Sequence, residues 1–153
     1  MSAAWFECGS RLTSLLAARP GLAQVSVTHF APASDDDNEL VFVRSTSGGY
    51  QAGPTASGPL IDDAVFTIEV VMMVRGWATL EECMARLGEI EAEVRDEVAA
   101  NPSLADLADD GWSVTEARAG EFAFTPNHGP DGPWAHGTVD VDVEVRIYGG
   151  NPP

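Results

Sequence analysis

The spacing of apolar residues changes several times along the chain, and each change predicts an element. Between residues 5 and 18 they fall at Trp5, Cys8, Leu12, Leu15 and Leu16, a helical spacing that ends before Arg19-Pro20-Gly21. In AQVSVTHFA, Val25 and Val27 lie on one side and Ser26 and Thr28 on the other, which predicts a strand ending before Pro32. ASDDDNE follows as a solvated turn, and LVFVR, residues 40–44, predicts a second, short strand. The Gly-, Ser- and Pro-rich run STSGGYQAGPTASGP, residues 45–59, has only Tyr50 as an anchor. A flexible loop is expected over residues 45–60, able to drape over a neighbour but not to fold alone. Across residues 65–74 the segment DDAVFTIEVVMMVRG is apolar on both sides apart from Thr67 and Glu69, the pattern of a central strand covered above and below.

TLEE then opens a long helix as a capping box, with Thr79 accepting from the backbone N–H of Glu82 and the Glu82 side chain reaching back. Leu80, Cys83, Met84, Leu87, Ile90, Val94 and Val98 form its apolar stripe. Glu82–Arg86 and Glu91–Arg95 are i,i+4 pairs on its wet side, and Asn101-Pro102 stops it. After a single turn at SLADLADD, WSVTEARAGEFAFT predicts one long or bent strand, with Trp112, Val114, Phe122 and Phe124 in phase and Gly120 as a bulge. PNHGPDGP predicts a turn that makes a hairpin with GTVDVDVEVRIYGG. In that last strand Val139, Val141, Val143, Val145 and Ile147 share one face, and Asp140, Asp142, Glu144 and Arg146 share the other. A slip of one residue would bury three acids at a cost on the order of several kcal/mol each, so the two faces are fixed relative to each other. The order of elements predicts one α+β domain over residues 1–153, with helices packed on a mainly antiparallel sheet.

Charge narrows the function. The 153 residues carry 24 acids against 8 bases, a formal net charge of −16, and every base is Arg. Affinity for phosphates comes mainly from Lys and Arg, so simple nucleic-acid binding is not expected. Cys8 and Cys83 lie in helical patterns without metal-knuckle or redox spacing and are expected to be buried free thiols, compatible with a reducing compartment. No apolar run reaches the ~18 residues that span a bilayer, and a soluble chain made in the cytoplasm is expected. His29, His128 and His136 sit in no catalytic motif and are expected to be surface histidines. SGGYQAGPTASG lacks the Lys and the strand-to-helix context of a phosphate loop, so no catalytic residue and no cofactor are predicted. Asp35, Asp36, Asp37 and Glu39, or Asp140, Asp142 and Glu144, could offer oxygen ligands to calcium or magnesium. Neither set has the EF-hand spacing, solvated acids are the simpler reading, and no metal site is predicted.

The layout is similar to that of the tail terminator, or tail completion, proteins of long-tailed bacteriophages. The residues that carry the resemblance are the N-terminal helix ending in ARPGLAQVSV, the strand running into an acidic turn and the Gly/Ser loop before DDAVFTIEVVMMVRG. The helix TLEECMARLGEIEAEVRDEVAANPSL and the final strand pair ending in VDVDVEVRIYG complete the pattern, which covers nearly the whole chain. The resemblance implies an α+β fold with two helices on one face of the sheet. It implies a homo-oligomer, a hexameric ring that caps the tail tube, ends its polymerisation and joins the tail to the head. Such a protein resides at the head-proximal end of the virion tail, is assembled in the host cytoplasm, touches no membrane and is no enzyme. Its partners would be the tail tube protein and a head–tail connector protein.

The family offers no catalytic residues to carry over, so contact residues rest on physics. In a six-membered ring the formal charge is 6 × −16 = −96. Asp140, Asp142 and Glu144 become candidate channel-facing acids, past which genome DNA moves without specific binding. Ser47, Gly48, Gly49, Tyr50, Gln51 and Pro54 form the candidate partner-contact loop. A plainer reading has the three acids keep one sheet face wet or discourage edge pairing. Two other functions fit the same layout: another head–tail connector or a tail tube component, or a small-ligand-binding α+β domain, which needs a pocket with converging polar groups.

Overall fold

The computed structural model describes residues 3–32, 37–51 and 61–148. Helix α1, Ala4–Ala17, buries Cys8, Leu12 and Leu16 at fourfold spacing, and a single 3-10 turn, Pro20–Leu22, then buries Leu22. Helix α2, Leu80–Ala100, starts at Thr79, whose hydroxyl accepts from the Glu82 N–H at 3.2 Å and donates to the Glu82 carboxylate at 3.2 Å. Its buried stripe is Cys83, Leu87, Ile90, Val94 and Val98, as the spacing predicts. Arg19, just past α1, ties the helices together through Glu93 at 2.5 Å and Glu97 at 3.5 Å. The Glu91–Arg95 pair forms. Arg86, expected to meet Glu82, is drawn instead to Glu39 at 3.0 Å and Glu89 at 2.9 Å, while Glu82 faces its cap.

The strands are β1 (Ser26–His29), β2 (Glu39–Gln51), β3 (Ile61–Arg75), β4 (Ala108–Asp109), β5 (Trp112–Gly129) and β6 (Gly132–Tyr148). They form one sheet in the order β1-β2-β3-β6-β5-β4, with β1 parallel to β2 and every other neighbour antiparallel. The expected α+β architecture is therefore present, with both helices on one face. From β3, Ala64, Phe66, Ile68, Val70, Met72 and Val74 join Val139, Val141, Val143 and Val145 of β6 in one core with the apolar stripes of α1 and α2. Gly137 brings α2 close to β6, since a Cβ there would stand 3.3 Å from the Leu87 methyls and 2.9 Å from the Phe122 ring.

Three expectations need correction. β3 lies inside the sheet but is covered by helices on one side only; Val65, Thr67, Glu69, Val71 and Met73 share its other face. Residues 45–51, expected to open a flexible loop, belong to a strand instead: β2 continues to Gln51, which pairs with Asp63 of β3. Backbone pairing satisfies the N–H and C=O groups of this Gly- and Ser-rich run, and the extra residue between Ser45 and Ser47 is taken up as a bulge. Residues 52–60 lie outside the described residues. The expected turn over residues 126–133 contracts to Pro130-Asp131 between Gly129 and Gly132, and Gly132 takes φ +115°, so both hairpin strands are longer than the apolar pattern implies.

β5 carries two register shifts, between Val114 and Glu116 and between Ala119 and Phe122. The second contains Gly120, the expected bulge. Each shift exchanges the faces, so Ala117 takes over the inward phase from Val114, and the second returns it to Phe122. The two cancel, which is why Trp112, Val114, Phe122 and Phe124 look continuous in the sequence. Phe124 is nevertheless 55% exposed.

Candidate functional site

The helices leave the other face of the sheet uncovered, and the acidic side of β6 lies on it. Register fixes the neighbours. On β3, Asp140 stands opposite Glu69, Asp142 opposite Thr67, Glu144 opposite Val65 and Arg146 opposite Asp63. On β5, Asp142 stands opposite Arg118 and Glu144 opposite Glu116. One strand further out, Arg44 of β2 faces Glu69. The sequence brought three acids to this face; the fold adds Asp63, Glu69 and Glu116 and interleaves Arg44, Arg118 and Arg146. Among these paired positions six carboxylates stand with three guanidiniums, a surplus of 6 − 3 = 3 negative charges.

The pairs are specific. Arg44 donates to one Glu69 oxygen through Nε at 2.9 Å, Arg118 donates through Nη2 to Glu116 at 2.8 Å, and Arg146 stands 3.5 Å from Asp63. The Thr67 hydroxyl donates to Asp142 Oδ1 at 2.9 Å. Asp140 is the least compensated: partial burial, together with Glu69, Asp142 and Glu121 nearby, raises its carboxyl above the ordinary value. A salt-bridged lattice of this kind is only partly readable from one strand's alternation, which shows Arg146 but not Arg44 and Arg118, because those come from β2 and β5. Their only signal is that each sits at an outward position of its own strand.

The same face turns apolar toward the β5–β6 turn. Leu40 pairs with Met73, Phe42 with Val71, and a hollow of about 230 Å³ opens among Leu40, Met73, Arg75, Pro130, Asp131 and Trp134. A smaller hollow of about 150 Å³ lies among Val65, Glu116, Arg118, Asp142 and Glu144. Both fall below the roughly 300–1,000 Å³ of an ordinary small-molecule site. Among the described residues no group of three or more His, Cys, Asp or Glu could hold a metal ion. Asp35 and Asp36 lie outside the described residues.

Cys8 and Cys83 are both buried free thiols, and burial, with Glu7 adding, pushes the Cys8 thiol up to about 12. His29 is not the surface histidine the sequence suggests. Its ring stacks on Phe30 with centroids 4.1 Å apart and packs on Phe6 at 5.0 Å, and Nε2 is buried without a hydrogen-bond partner. His128 is exposed and His136 half-buried. Of the candidate contact residues, Ser47, Gly48, Gly49, Tyr50 and Gln51 belong to β2, and Pro54 lies outside the described residues. The register brings the two candidate sets level with each other across β3: Ser47 pairs with Thr67, which stands opposite Asp142, and Gly49 pairs with Val65, which stands opposite Glu144.

No family model matches the chain, and no curated protein matches it. Among solved structures, it is similar to a chain from the virion of a native gene transfer agent (GTA) particle, with a TM-score of 0.53 at 14% identity. That alignment covers 96% of this chain and 100% of the other. A second solved structure aligns over 96% of each chain at 19% identity, but its TM-score of 0.39 carries no argument. The first likeness is one of fold, and it runs end to end.

Proposed function

We propose that this chain is a structural virion protein that acts as a tail terminator: a hexameric ring that caps the tail tube, ends its polymerisation and joins the tail to the head. The observation that carries the reading is the end-to-end correspondence of its fold with a chain of a gene transfer agent virion, at 96% and 100% coverage. The order of elements, which resembles that of tail terminators, narrows the role to the tail.

In this reading Asp140, Asp142 and Glu144 face the channel or its rim, where their surplus charge keeps phosphates from adhering. The end of the β2–β3 pair from Ser47 to Gln51, with Pro54 three residues further along the sequence, meets the tail tube. Electron microscopy of particles carrying the tagged protein tests the assignment. Sixfold density for this chain between tube and head is the expected result. Twelvefold symmetry at its layer favours a connector, repeated copies along the tube favour a tube subunit, and absence from particles removes a virion role.

A further inference from the structure

Among the described residues, both lateral edges of the sheet carry exposed aromatic rings. At the β1 edge, Trp5 and Phe6 project from the first turn of α1 beside His29 and Phe30. Ring centroids are 5.9 Å apart for Trp5–Phe6 and 6.1 Å for Phe6–Phe30, and Trp5, Phe6 and Phe30 are each 41% exposed. Phe30 takes φ +66°, an unfavourable conformation for a bulky residue, and its N–H donates to the Val43 carbonyl at 2.8 Å. At the opposite edge only the start of β5 is covered. The Val114 and Ala117 N–H groups donate to the Leu107 and Pro102 carbonyls, and Arg95 donates to the Gly120 carbonyl at 2.8 Å. Beyond the Gly120 bulge no strand pairs with the outer edge of β5 among the described residues, and there the exposed Phe124 lies 5.4 Å from Phe122, which is half-buried against the core.

We propose that these surfaces are the two halves of one head-to-tail interface, in which Phe122 and Phe124 at the β5 edge of one copy dock on the Trp5, Phe6, His29 and Phe30 surface at the β1 edge of the next. Three observations select a second copy as the occupant. The surfaces differ and lie at opposite edges, which is what a heterologous contact requires; an isologous dimer would use one of them and leave the other exposed. Strand direction also fits. β1 runs with β2, against β3, with β6 and against β5, so a neighbour that continues the sheet brings its β5 antiparallel to β1. Finally, copies that each carry −16 repel one another, so contact between them has to rest on apolar area, and these are ring-on-ring surfaces. The contact rests on the ring reading for its closure into six, not for its existence.

Photo-crosslinking tests it. The full chain with p-benzoylphenylalanine in place of Phe124 is irradiated at its highest soluble concentration and, separately, within assembled particles. Crosslinks from position 124 to a peptide containing residues 3–11 or 25–32 of another copy are expected. Crosslinks to other segments only, or none between copies in either sample, overturn the inference. Two variants check direction: Phe124→Asp and Phe6→Asp, with Phe30→Asp in place of the latter should it fail to fold. Each alone should give no pairing, whereas a mixture should give one-to-one dimers that extend no further. Sixfold particles without the 124 crosslink overturn this interface and leave the terminator reading standing. The crosslink in a protein absent from particles does the reverse.

Discussion

Adjacent residues of β6 predict opposite outcomes at the scale of a single side chain. Val143 is fully buried and Asp142 is exposed, so Val143→Asp places an unpaired carboxylate in the core, whereas Asp142→Val adds one apolar group to an open face. The first costs on the order of several kcal/mol against a total stability of about 5–15 kcal/mol, and loss of the cooperative thermal transition by circular dichroism is expected. The second should keep that transition. His29 gives a pH dependence. Burial lowers its folded pKa below the ordinary value, with Glu7 opposing, so the neutral ring is the form the fold favours. Stability is full above the unfolded value of about 6.5 and falls as pH drops through it toward the folded value. His29→Phe keeps the stacking and removes the proton site, so its melting temperature should fall less than the wild type's between about pH 7.5 and pH 5. Asp140 has the opposite sign. Its raised pKa means that the fold favours the protonated form, with stability present below about pH 4 and lost as pH rises through the folded value. At neutral pH, Asp140→Asn should therefore stabilise by about 0.2–1 kcal/mol, the scale of one cross-strand like-charge pair, and urea titrations should show the gain vanish in acid.

Elements differ in how openly the sequence displays them. α1 and α2 were legible because a buried helical stripe is written in side chains, as Cys8, Leu12 and Leu16 or Leu87, Ile90 and Val94 show. The inward valines of β6 were legible for the same reason at period two. What stayed hidden depends on backbone: residues 45–51 pair in β2 through N–H and C=O groups that composition does not register, and the two shifts in β5 cancel in phase. The segment after α2 is a further case. A single turn was expected there, and the structure gives three consecutive left-handed residues, Leu104, Ala105 and Asp106, at φ +52°, +58° and +57°. Such a turn costs roughly 1–2 kcal/mol per residue. Leu104 offsets this by full burial, and Arg11 donates to the Leu104 and Ala105 carbonyls at 3.2 Å each. Ala105 is exposed, so Ala105→Gly should relieve the strain and raise stability by about 0.5–1 kcal/mol, partly offset by the entropy of the unfolded glycine. A decrease in the denaturation midpoint would show that the turn is not left-handed in solution.

For the whole molecule the decisive feature is a sheet with one face covered by helices and the other ionic around the β6 acids and apolar toward the β5–β6 turn. The side on which Asp140, Asp142 and Glu144 lie was legible, because Val139, Val141, Val143 and Val145 between them had to be inside. Arg146 was legible with them, but the moderating Arg44 and Arg118 were not, and they sharpen the proposed channel role. Neutralising the three acids as Asp140→Asn, Asp142→Asn and Glu144→Gln removes 6 × 3 = 18 negative charges from a hexamer. It also changes the face from six carboxylates against three guanidiniums to 6 − 3 = 3 against three, so Arg44, Arg118 and Arg146 are left to meet passing phosphates. On the channel reading the variant particles should assemble with normal symmetry and eject DNA more slowly. The delay should be largest at low ionic strength and should shrink as the screening length falls from about 30 Å at 0.01 M toward about 8 Å at 0.15 M salt. Adding Arg118→Glu to the triple variant restores a negative face and should restore the rate. Particles that eject at the wild-type rate while the free protein loses solubility would place the acids on an outer wall, where they serve only to keep the sheet wet.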